Sequence, residues 1–319
     1  MCALTPMQIP SPLKPRPKGA RRIKSTPASK DRPEVRHGYF KTFDGTRIFY
    51  SVEGQGKPLV FCYGLVCSSL HWTYQIDYFR QNYQTIWFDY RGHQNSEIPA
   101  DLNTLNIPTM AKDLEALLEE LKIKDAVFLG HSMGVNVLLE FCRNHPEMVK
   151  ALVLANGTAK RPLETLFGMN ATQGLLNLLS KAYAKSPKLV STLWSLQKNN
   201  PISKMIVTLG GFNPHLSAPE DVELYVNQVA EMDPAILIHL IQNYDHFDAA
   251  SWLHTLKAQT LIIAGENDHI TPTKEQYLIK QLLPNSEIEI VKHGSHCPQM
   301  DLPDLVNLRI EKFLRQLEY

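Results

Sequence analysis

The feature that most constrains the fold is the alternation, from residue 37 onward, of short apolar runs with amphipathic helical patterns. Near-continuous apolar runs bounded by turn signals are typical of strands buried on both faces, as in parallel sheets. Between them, segments such as Met110 to Leu121 carry leucines on one helical face and acidic residues on the other. We therefore predict an α/β fold, with a mostly parallel central sheet and helices on both faces. Parallel strands are expected at 59–63, 85–88, 126–129, 151–154, 261–264 and 288–291, and further helices at 135–143, 273–283 and 304–317.

An antiparallel hairpin is predicted before these strands. Phe40 to Phe43 and Thr46 to Val52 alternate polar and apolar residues around Asp44-Gly45, a dipeptide favoured in tight hairpin turns. The hairpin would supply the first two strands of the sheet. Residues 37–157 would then include six strands in all.

The alternation stops over residues 158–252, where helical pieces follow one another without a convincing buried strand. We predict that this insertion is a helical cap, or lid, placed after the sixth strand, and that residues 37–157 and 253–319 form the core. Most of its apolar side chains are expected to pack the cap's own interior, and a minority to line a substrate pocket. The set includes Leu175, Leu176, Leu178, Leu179, Trp194 and Phe212.

Residues 1–36 differ in composition from the rest of the chain. They hold nine Lys or Arg against two Asp or Glu, and seven of the 21 prolines, with almost no apolar periodicity. We predict a disordered basic tail. Two interpretations of it stay open: a solvated extension, or a segment with weak attraction to an anionic membrane surface or nucleic acid. The whole chain carries a formal charge of only +1, so we expect no nucleic-acid partner.

The cysteines and the apolar runs bear on the compartment. Five cysteines, with no CxxC pair, predict neither a disulfide framework nor a zinc site. The tail lacks the apolar run of a secretory signal, so a cytoplasmic location is expected. Cys297 follows His296 directly, but we interpret it as a packing residue. No metal or nucleotide motif is visible, and we expect no cofactor.

The strongest local signal is Gly130-His131-Ser132-Met133-Gly134, which lies between a predicted buried strand and a predicted helix. A serine on so sharp a turn is held above the sheet, and glycines two positions away let neighbouring chains approach it. The first amides of the helix, including that of Met133, would face negative charge developing on an attacked carbonyl. This context predicts a nucleophilic serine.

A serine hydroxyl needs a general base, and the base needs a group that fixes its tautomer. His296, on the loop after the last strand, is the predicted base, with His293 as a local alternative. Asp268 follows the strand at 261–264 and is the predicted orienter, with Glu266 and Asp248 as rival carboxylates. The chemistry-bearing residues would then follow in the order Ser, Asp, His.

With its nucleophile elbow and this order, the chain over residues 37–319 resembles the α/β-hydrolase fold superfamily. It is similar to lidded serine esterases and lipases rather than to epoxide hydrolases or dehalogenases, whose elbow carries an aspartate where this chain has Ser132. By position, the resemblance implies that Leu65 supplies the second oxyanion-hole amide beside Met133. Tyr63 stands where histidine is usual, a departure expected to leave the Leu65 amide intact. Residues 89–96 resemble a segment that braces the site, with Gln94 where glycine is usual.

The resemblance implies hydrolysis of an ester through an acyl-enzyme on Ser132, and the apolar cap suggests an uncharged ester with a hydrophobic acyl or alcohol group. Sister families use the same triad for thioester hydrolysis, acyl transfer, carbon-carbon bond hydrolysis or cofactor-free oxygenation, so these alternatives stay open. A third alternative is a hydrolase-like binding protein without turnover. The sequence does not indicate an oligomeric state.

Overall fold

The structure is a computed structural model that describes residues 34–161, 169–244 and 246–319. Its strands are β1 (Val35–Lys41), β2 (Arg47–Glu53), β3 (Pro58–Cys62), β4 (Gln84–Phe88), β5 (Ala126–His131), β6 (Val149–Ala155), β7 (Gln259–Gly265) and β8 (Ser286–Val291). Its helices are α1 (Thr73–Phe79), α2 (Ile107–Glu120), α3 (Met133–Asn144), α4 (Met169–Lys185), α5 (Pro187–Ser195), α6 (Pro201–Gly211), α7 (Pro219–Glu231), α8 (Pro234–Tyr244), α9 (Thr273–Leu282), α10 (Pro298–Asp301) and α11 (Pro303–Gln316).

The eight strands form one sheet in the order β1-β2-β4-β3-β5-β6-β7-β8. β2 pairs antiparallel with both β1 and β4, and all the other neighbours are parallel. Every residue of β5 is buried, as expected for a strand covered by helices on both faces. The predicted α/β architecture, with its mostly parallel sheet, is confirmed.

The first strand differs from its prediction at both ends. β1 begins at Val35, so Val35 and Arg36 belong to the sheet and not to the tail, while Phe43 lies in the hairpin turn with 67% of its surface exposed. β1 pairs with β2 over its whole length, from Val35 opposite Glu53 to Lys41 opposite Arg47. Backbone pairing holds an edge strand even where its side chains are exposed and show no apolar pattern. The prediction for residues 1–33 lies outside the described residues.

The insertion contains the helices α4 to α8, and its two ends meet, since the Ala249 amide donates to the Ala159 carbonyl at 2.8 Å. Phe212 is buried, but Leu178 is 66% exposed, so the expectation that it packs an interior is wrong. Periodicity reveals an apolar face without showing which way it points. The side chains of Leu175 and Leu176 lie outside the described residues. None of the described helices is both long and apolar enough to cross a lipid bilayer.

Candidate active site

Three of the predicted site residues follow strands of the parallel part of the sheet, in which β6 separates β5 from the neighbouring pair β7 and β8. Ser132 comes directly after β5, Asp268 follows β7, and His296 follows β8. Parallel strands present their carboxyl ends at one edge, which is where open α/β sheets bind ligands. The fold therefore gathers at this edge residues that are far apart in the sequence.

Ser132 has a left-handed backbone conformation, with φ 54° and ψ −120°, between β5 and α3. A side chain is rarely tolerated there, so the turn stores strain. Its neighbouring glycines are required by close packing. A Cβ atom on Gly134 would lie 2.4 Å from the Cys62 carbonyl oxygen, and one on Gly130 would lie 2.9 Å from the Gly134 carbonyl oxygen.

Asp268 and His296 are in direct contact. Asp268 Oδ2 lies 2.8 Å from His296 Nδ1, and both residues are buried. The other carboxylate oxygen accepts the amides of Ile270 and Thr271 at 2.7 and 2.9 Å, and the Thr271 hydroxyl donates to Oδ2. Burial by itself would raise the pKa of Asp268, but the His296 ring and the Thr271 hydrogen bonds outweigh it, and the pKa is lowered. An ionised Asp268 thus fixes the proton of His296 on Nδ1 and leaves Nε2 without a proton.

The rival candidates are engaged elsewhere. Glu266 Oε2 accepts the His293 amide at 2.9 Å, and both side chains are largely exposed. Asp248 caps a turn by accepting the Ala250 amide. Neither carboxylate contacts His296 among the described residues.

The loop after β3 lies against Ser132. A Cβ on Gly64 would be 3.0 Å from the Ser132 Cβ, so a larger residue there would push against the serine. In the described part of the chain, the amides of the next residue, Leu65, and of Met133 at the start of α3 donate to no other group. Two unpaired amides near a serine suit the binding of an oxyanion. Over these same residues, the Ser132 hydroxyl makes no hydrogen bond to His296.

Tyr63 connects this loop to the segment after β4. Its hydroxyl donates to Asp89 Oδ1 at 3.2 Å and accepts the Tyr90 amide at 3.0 Å, while the Tyr90 hydroxyl donates to the Tyr63 carbonyl. Asn95 donates twice to the other Asp89 oxygen. Burial raises the pKa of Asp89 to about 6, although the Asn95 and Tyr63 hydrogen bonds oppose that shift. Tyr63, which departs from the family pattern, thus holds the loop after β3 through the hydrogen bonds of its hydroxyl.

Arg91 braces the same segment. Its fully buried guanidinium forms two hydrogen bonds to Asp113 in α2, at 2.7 and 2.6 Å, and one to Asp44 in the β1–β2 turn. Two parallel bonds to one carboxylate fix both partners. The structural role predicted for residues 89–96 is confirmed.

A buried histidine pair, which no sequence pattern indicated, lies next to the serine. His71 and His131 lie with their Nδ1 atoms 3.1 Å apart, and His131 Nε2 lies 2.8 Å from the His296 carbonyl oxygen. Burial lowers the pKa of His71 to about 3 and that of His131 well below its ordinary value, so both rings are neutral. Because a carbonyl only accepts, His131 carries its proton on Nε2 and receives one hydrogen bond from His71. The pair holds the backbone of the predicted base.

Asn156, at the end of β6, is a second positioning residue that the sequence analysis missed. Its side-chain nitrogen donates to the carbonyls of Ser295 and His296, both at 2.9 Å, and its oxygen accepts the Gly265 amide. The only signal in the sequence is an Asn-Gly pair directly after a predicted strand. Asn156 therefore joins the loops that carry Asp268 and His296.

One group of side chains in the described residues has the spacing of metal ligands. Donor atoms of His71, His131 and Cys297 lie within 4.8 Å of one another, all buried. The two histidines already share a hydrogen bond, and burial raises the pKa of the Cys297 thiol well above its usual range. A protonated thiol is a poor metal ligand, so the donors as arranged favour packing over coordination.

Residues of the insertion cover the edge of the sheet. The Tyr225 ring of α7 stacks on His71 with ring centroids 5.3 Å apart, and Phe212 packs against both rings. Gln228 accepts the Ser68 hydroxyl at 2.7 Å. The roof of the candidate site is therefore largely aromatic on this side.

Comparison with known proteins identifies the fold. The family model of the alpha/beta hydrolase fold matches residues 57–303. The chain belongs to the α/β-hydrolase family. The match extends from the start of β3 to the start of α11 and includes Ser132, Asp268 and His296.

Individual α/β hydrolases are only distantly similar. The chain is 25% identical to "Epoxide hydrolase 4" of Mus musculus over 296 residues, covering 88% of this chain and 80% of the relative. It is 23% identical to "Putative carbamate hydrolase RutD" of Azorhizobium caulinodans over 273 residues, covering 85% and 96%. A thermophilic esterase from Thermogutta terrifontis has a similar structure, with a TM-score of 0.71 at 20% identity over 89% of this chain and all of that one. These likenesses support a hydrolase.

Proposed function

We propose that this α/β hydrolase cleaves a carboxylic ester through an acyl-enzyme on Ser132, with His296 as general base and Asp268 as its orienter. The observation that carries the proposal is the backbone of Ser132, at φ 54° between a buried strand and a helix. Such a conformation costs about 1–3 kcal/mol for a non-glycine residue. A nucleophile gains from this conformation, because it places the half-buried hydroxyl beside the free amides of Leu65 and Met133.

The reaction would proceed in two steps. Ser132 Oγ attacks the ester carbonyl while His296 Nε2 takes its proton, and the Leu65 and Met133 amides bind the oxyanion. The protonated His296 then gives its proton to the departing alcohol. Water, deprotonated by His296, then attacks the acyl-enzyme, and His296 returns this proton to Ser132 Oγ as the bond to the acyl group breaks and the acid leaves. Asp268 stays ionised and stabilises the charged ring throughout. The missing Ser132–His296 hydrogen bond would form when substrate binds.

The substrate class follows from the surroundings of the serine. Two aromatic residues of the insertion, the buried Phe212 and the partly buried Tyr225, pack against His71, which contacts the neighbour of Ser132, His131. Apolar walls favour an uncharged ester with a hydrophobic acyl or alcohol group. Hydrolysis confined to small, highly charged esters would contradict this part of the proposal.

The test is hydrolysis of p-nitrophenyl esters from acetate to palmitate by the wild type, Ser132→Ala and His296→Ala, with Ser251→Ala as a matched control on an exposed turn. Loss of either catalytic group should lower kcat/KM by about 10⁴ or more, while the control keeps wild-type activity. The acyl length that gives the highest kcat/KM then measures the pocket.

A fluorophosphonate probe separates the remaining alternatives. If the wild type is inert toward esters but the probe labels Ser132, the same residues act on thioesters, acyl acceptors or carbon-carbon bonds. A folded wild type that neither turns over nor labels would instead be a binding protein. Because a relative is named an epoxide hydrolase, the panel also includes an epoxide, and epoxide turnover that survives Ser132→Ala would refute the proposal.

For the compartment we propose the cytoplasm. The support is that Cys62, Cys67, Cys142 and Cys297 are all free thiols, as is usual under reducing conditions. Fractionation of the native host would test this.

A further inference from the structure

The outer surface of α5 and α6 is apolar. Seven apolar side chains, in these two helices and at Leu196 just after α5, are each 54 to 63% exposed, whereas exposed apolar residues on ordinary surfaces are mostly scattered singly. We call this set the α5–α6 apolar face. Its members are Leu189, Leu193, Leu196, Ile202, Met205, Ile206 and Leu209.

The other sides of the two helices are already occupied by α7. Trp194 donates its indole N–H to the Val229 carbonyl at 3.0 Å, and Lys204 pairs with Glu223. Val207 packs beside Phe212 and Tyr225. In α6 the exposed residues recur at positions i, i+3, i+4 and i+7, so they form one stripe on the side away from these contacts. The apolar face is therefore not used by the protein's own interior.

The segment that carries this face is basic. Residues 169–211 contain five lysines and no Asp or Glu. Lys198 and Lys204 pair with acidic residues of α7. The other three, Lys181, Lys185 and Lys188, form no ion pair with any described residue. Exposed apolar side chains flanked by free lysines are characteristic of helices that lie in a membrane interface.

We propose that the α5–α6 apolar face docks on an anionic phospholipid surface, with both helices lying along it and the lysines at the headgroups. Anionic headgroups supply the counter-charges that residues 169–211 lack. A second copy of the chain fits less well, because a two-fold contact would bring the same three lysines, Lys181, Lys185 and Lys188, together without acidic partners from residues 169–211. The lipid-bound state needs no membrane-spanning helix.

The docked face is joined to the candidate active site. α6 ends at Gly211, whose carbonyl accepts the Ser295 hydroxyl at 3.1 Å, one residue before His296. Docking would thus bring the entrance of the site close to esters dissolved in the lipid. This consequence rests on the proposed ester hydrolysis, whereas docking itself does not.

The test is co-sedimentation of the full chain with phosphatidylcholine vesicles that do or do not contain phosphatidylglycerol. Using Ser132→Ala as the background keeps any hydrolysis out of the measurement. In this Ser132→Ala background, the double substitution Ile206→Ser and Leu209→Ser should lower the partition coefficient onto anionic vesicles by about tenfold or more. Leu305→Ser with Leu308→Ser is the matched control, because these α11 leucines have the same spacing and are also exposed.

Replacing Lys181, Lys185 and Lys188 together by Gln should weaken binding to anionic vesicles, as should high salt, with less effect on neutral vesicles. Equal binding by the two serine pairs would overturn the proposal, because binding would then come from the basic tail or another surface. So would an absence of vesicle binding. Light scattering could instead show that the wild type is a dimer that only the Ile206 and Leu209 substitutions dissociate. That result would also overturn the proposal, because the α5–α6 apolar face would then bind a second copy of the chain. Ester hydrolysis could fail while docking succeeds, so the two proposals are separable.

Discussion

The hydroxyl of Tyr63 offers the sharpest test of how the loop after β3 is held in place. Tyr63→Phe removes one oxygen and keeps the ring, whose centroid lies 4.6 Å from that of Tyr90. Two buried hydrogen bonds are lost, from the Tyr90 amide at 3.0 Å and to Asp89 at 3.2 Å. Because the substitution removes only one oxygen atom and keeps the ring, it tests the loss of these hydrogen bonds with little change in packing.

The expected cost follows from the groups left behind. A buried backbone N–H without a partner costs about 1–3 kcal/mol, and loss of a donor to a buried carboxylate costs about 1.5–3 kcal/mol. Together these predict that the free energy of unfolding falls by about 4 kcal/mol. Because the same hydroxyl fixes the loop that carries the Leu65 amide, ester hydrolysis should also slow, with kcat affected more than KM.

Urea unfolding followed by circular dichroism measures this effect. The matched control is Tyr78→Phe, which removes a hydroxyl that bonds Glu311 at 3.1 Å on the surface and should cost under about 0.5 kcal/mol. If Tyr63→Phe is no more destabilising than Tyr78→Phe, the reasoning about the buried Tyr63 hydroxyl is refuted.

Three further predictions use the same unfolding assay. Gly134→Ala should lower the free energy of unfolding by about 3 kcal/mol, because the new Cβ would lie 2.4 Å from a carbonyl oxygen. Gly174→Ala, in α4, has open space around the new Cβ and should raise the free energy of unfolding by about 0.5–1 kcal/mol. Equal effects of the two substitutions would contradict this reasoning. Arg91→Met should cost about 3–5 kcal/mol by leaving buried Asp113 unpaired, and a neutral result would count against the ion pair. Because the pKa of Asp89 is about 6 in the fold against 3.8 ordinarily, its contribution to stability is complete below 3.8 and is lost as pH rises through 6. The stability of the wild type relative to Asp89→Asn should therefore fall between about pH 4 and pH 7, and a constant difference would refute the shift.

Local patterns in the sequence were enough for much of the fold. The turn at Asp44-Gly45 and the strand, turn and helix around Ser132 are each specified by residues close together in the chain, and the structure has them where the sequence predicted. Strand ends were less predictable. Val35 is held by pairing with Glu53, a contact that no property of the tail itself reveals.

Contacts between residues far apart in the sequence depend on how the strands and loops pack in the tertiary structure. Asp268 meets His296 because β7 and β8 are neighbours in the sheet, while Glu266, only two residues away, turns to the His293 amide. The His71–His131 pair joins residues that share no sequence pattern.

Residue patterns alone predicted most of the helices and strands, the order of Ser132, Asp268 and His296, and the presence of apolar stripes on the inserted helices. The tertiary structure decided which groups meet and which side of each helix is covered. The reason is physical: the period of 3.6 residues gives every amphipathic helix one apolar face, but only packing against a neighbour determines whether that face is buried. In α6 the neighbour α7 lies on the other side, and Ile206 and Leu209 are left facing outward.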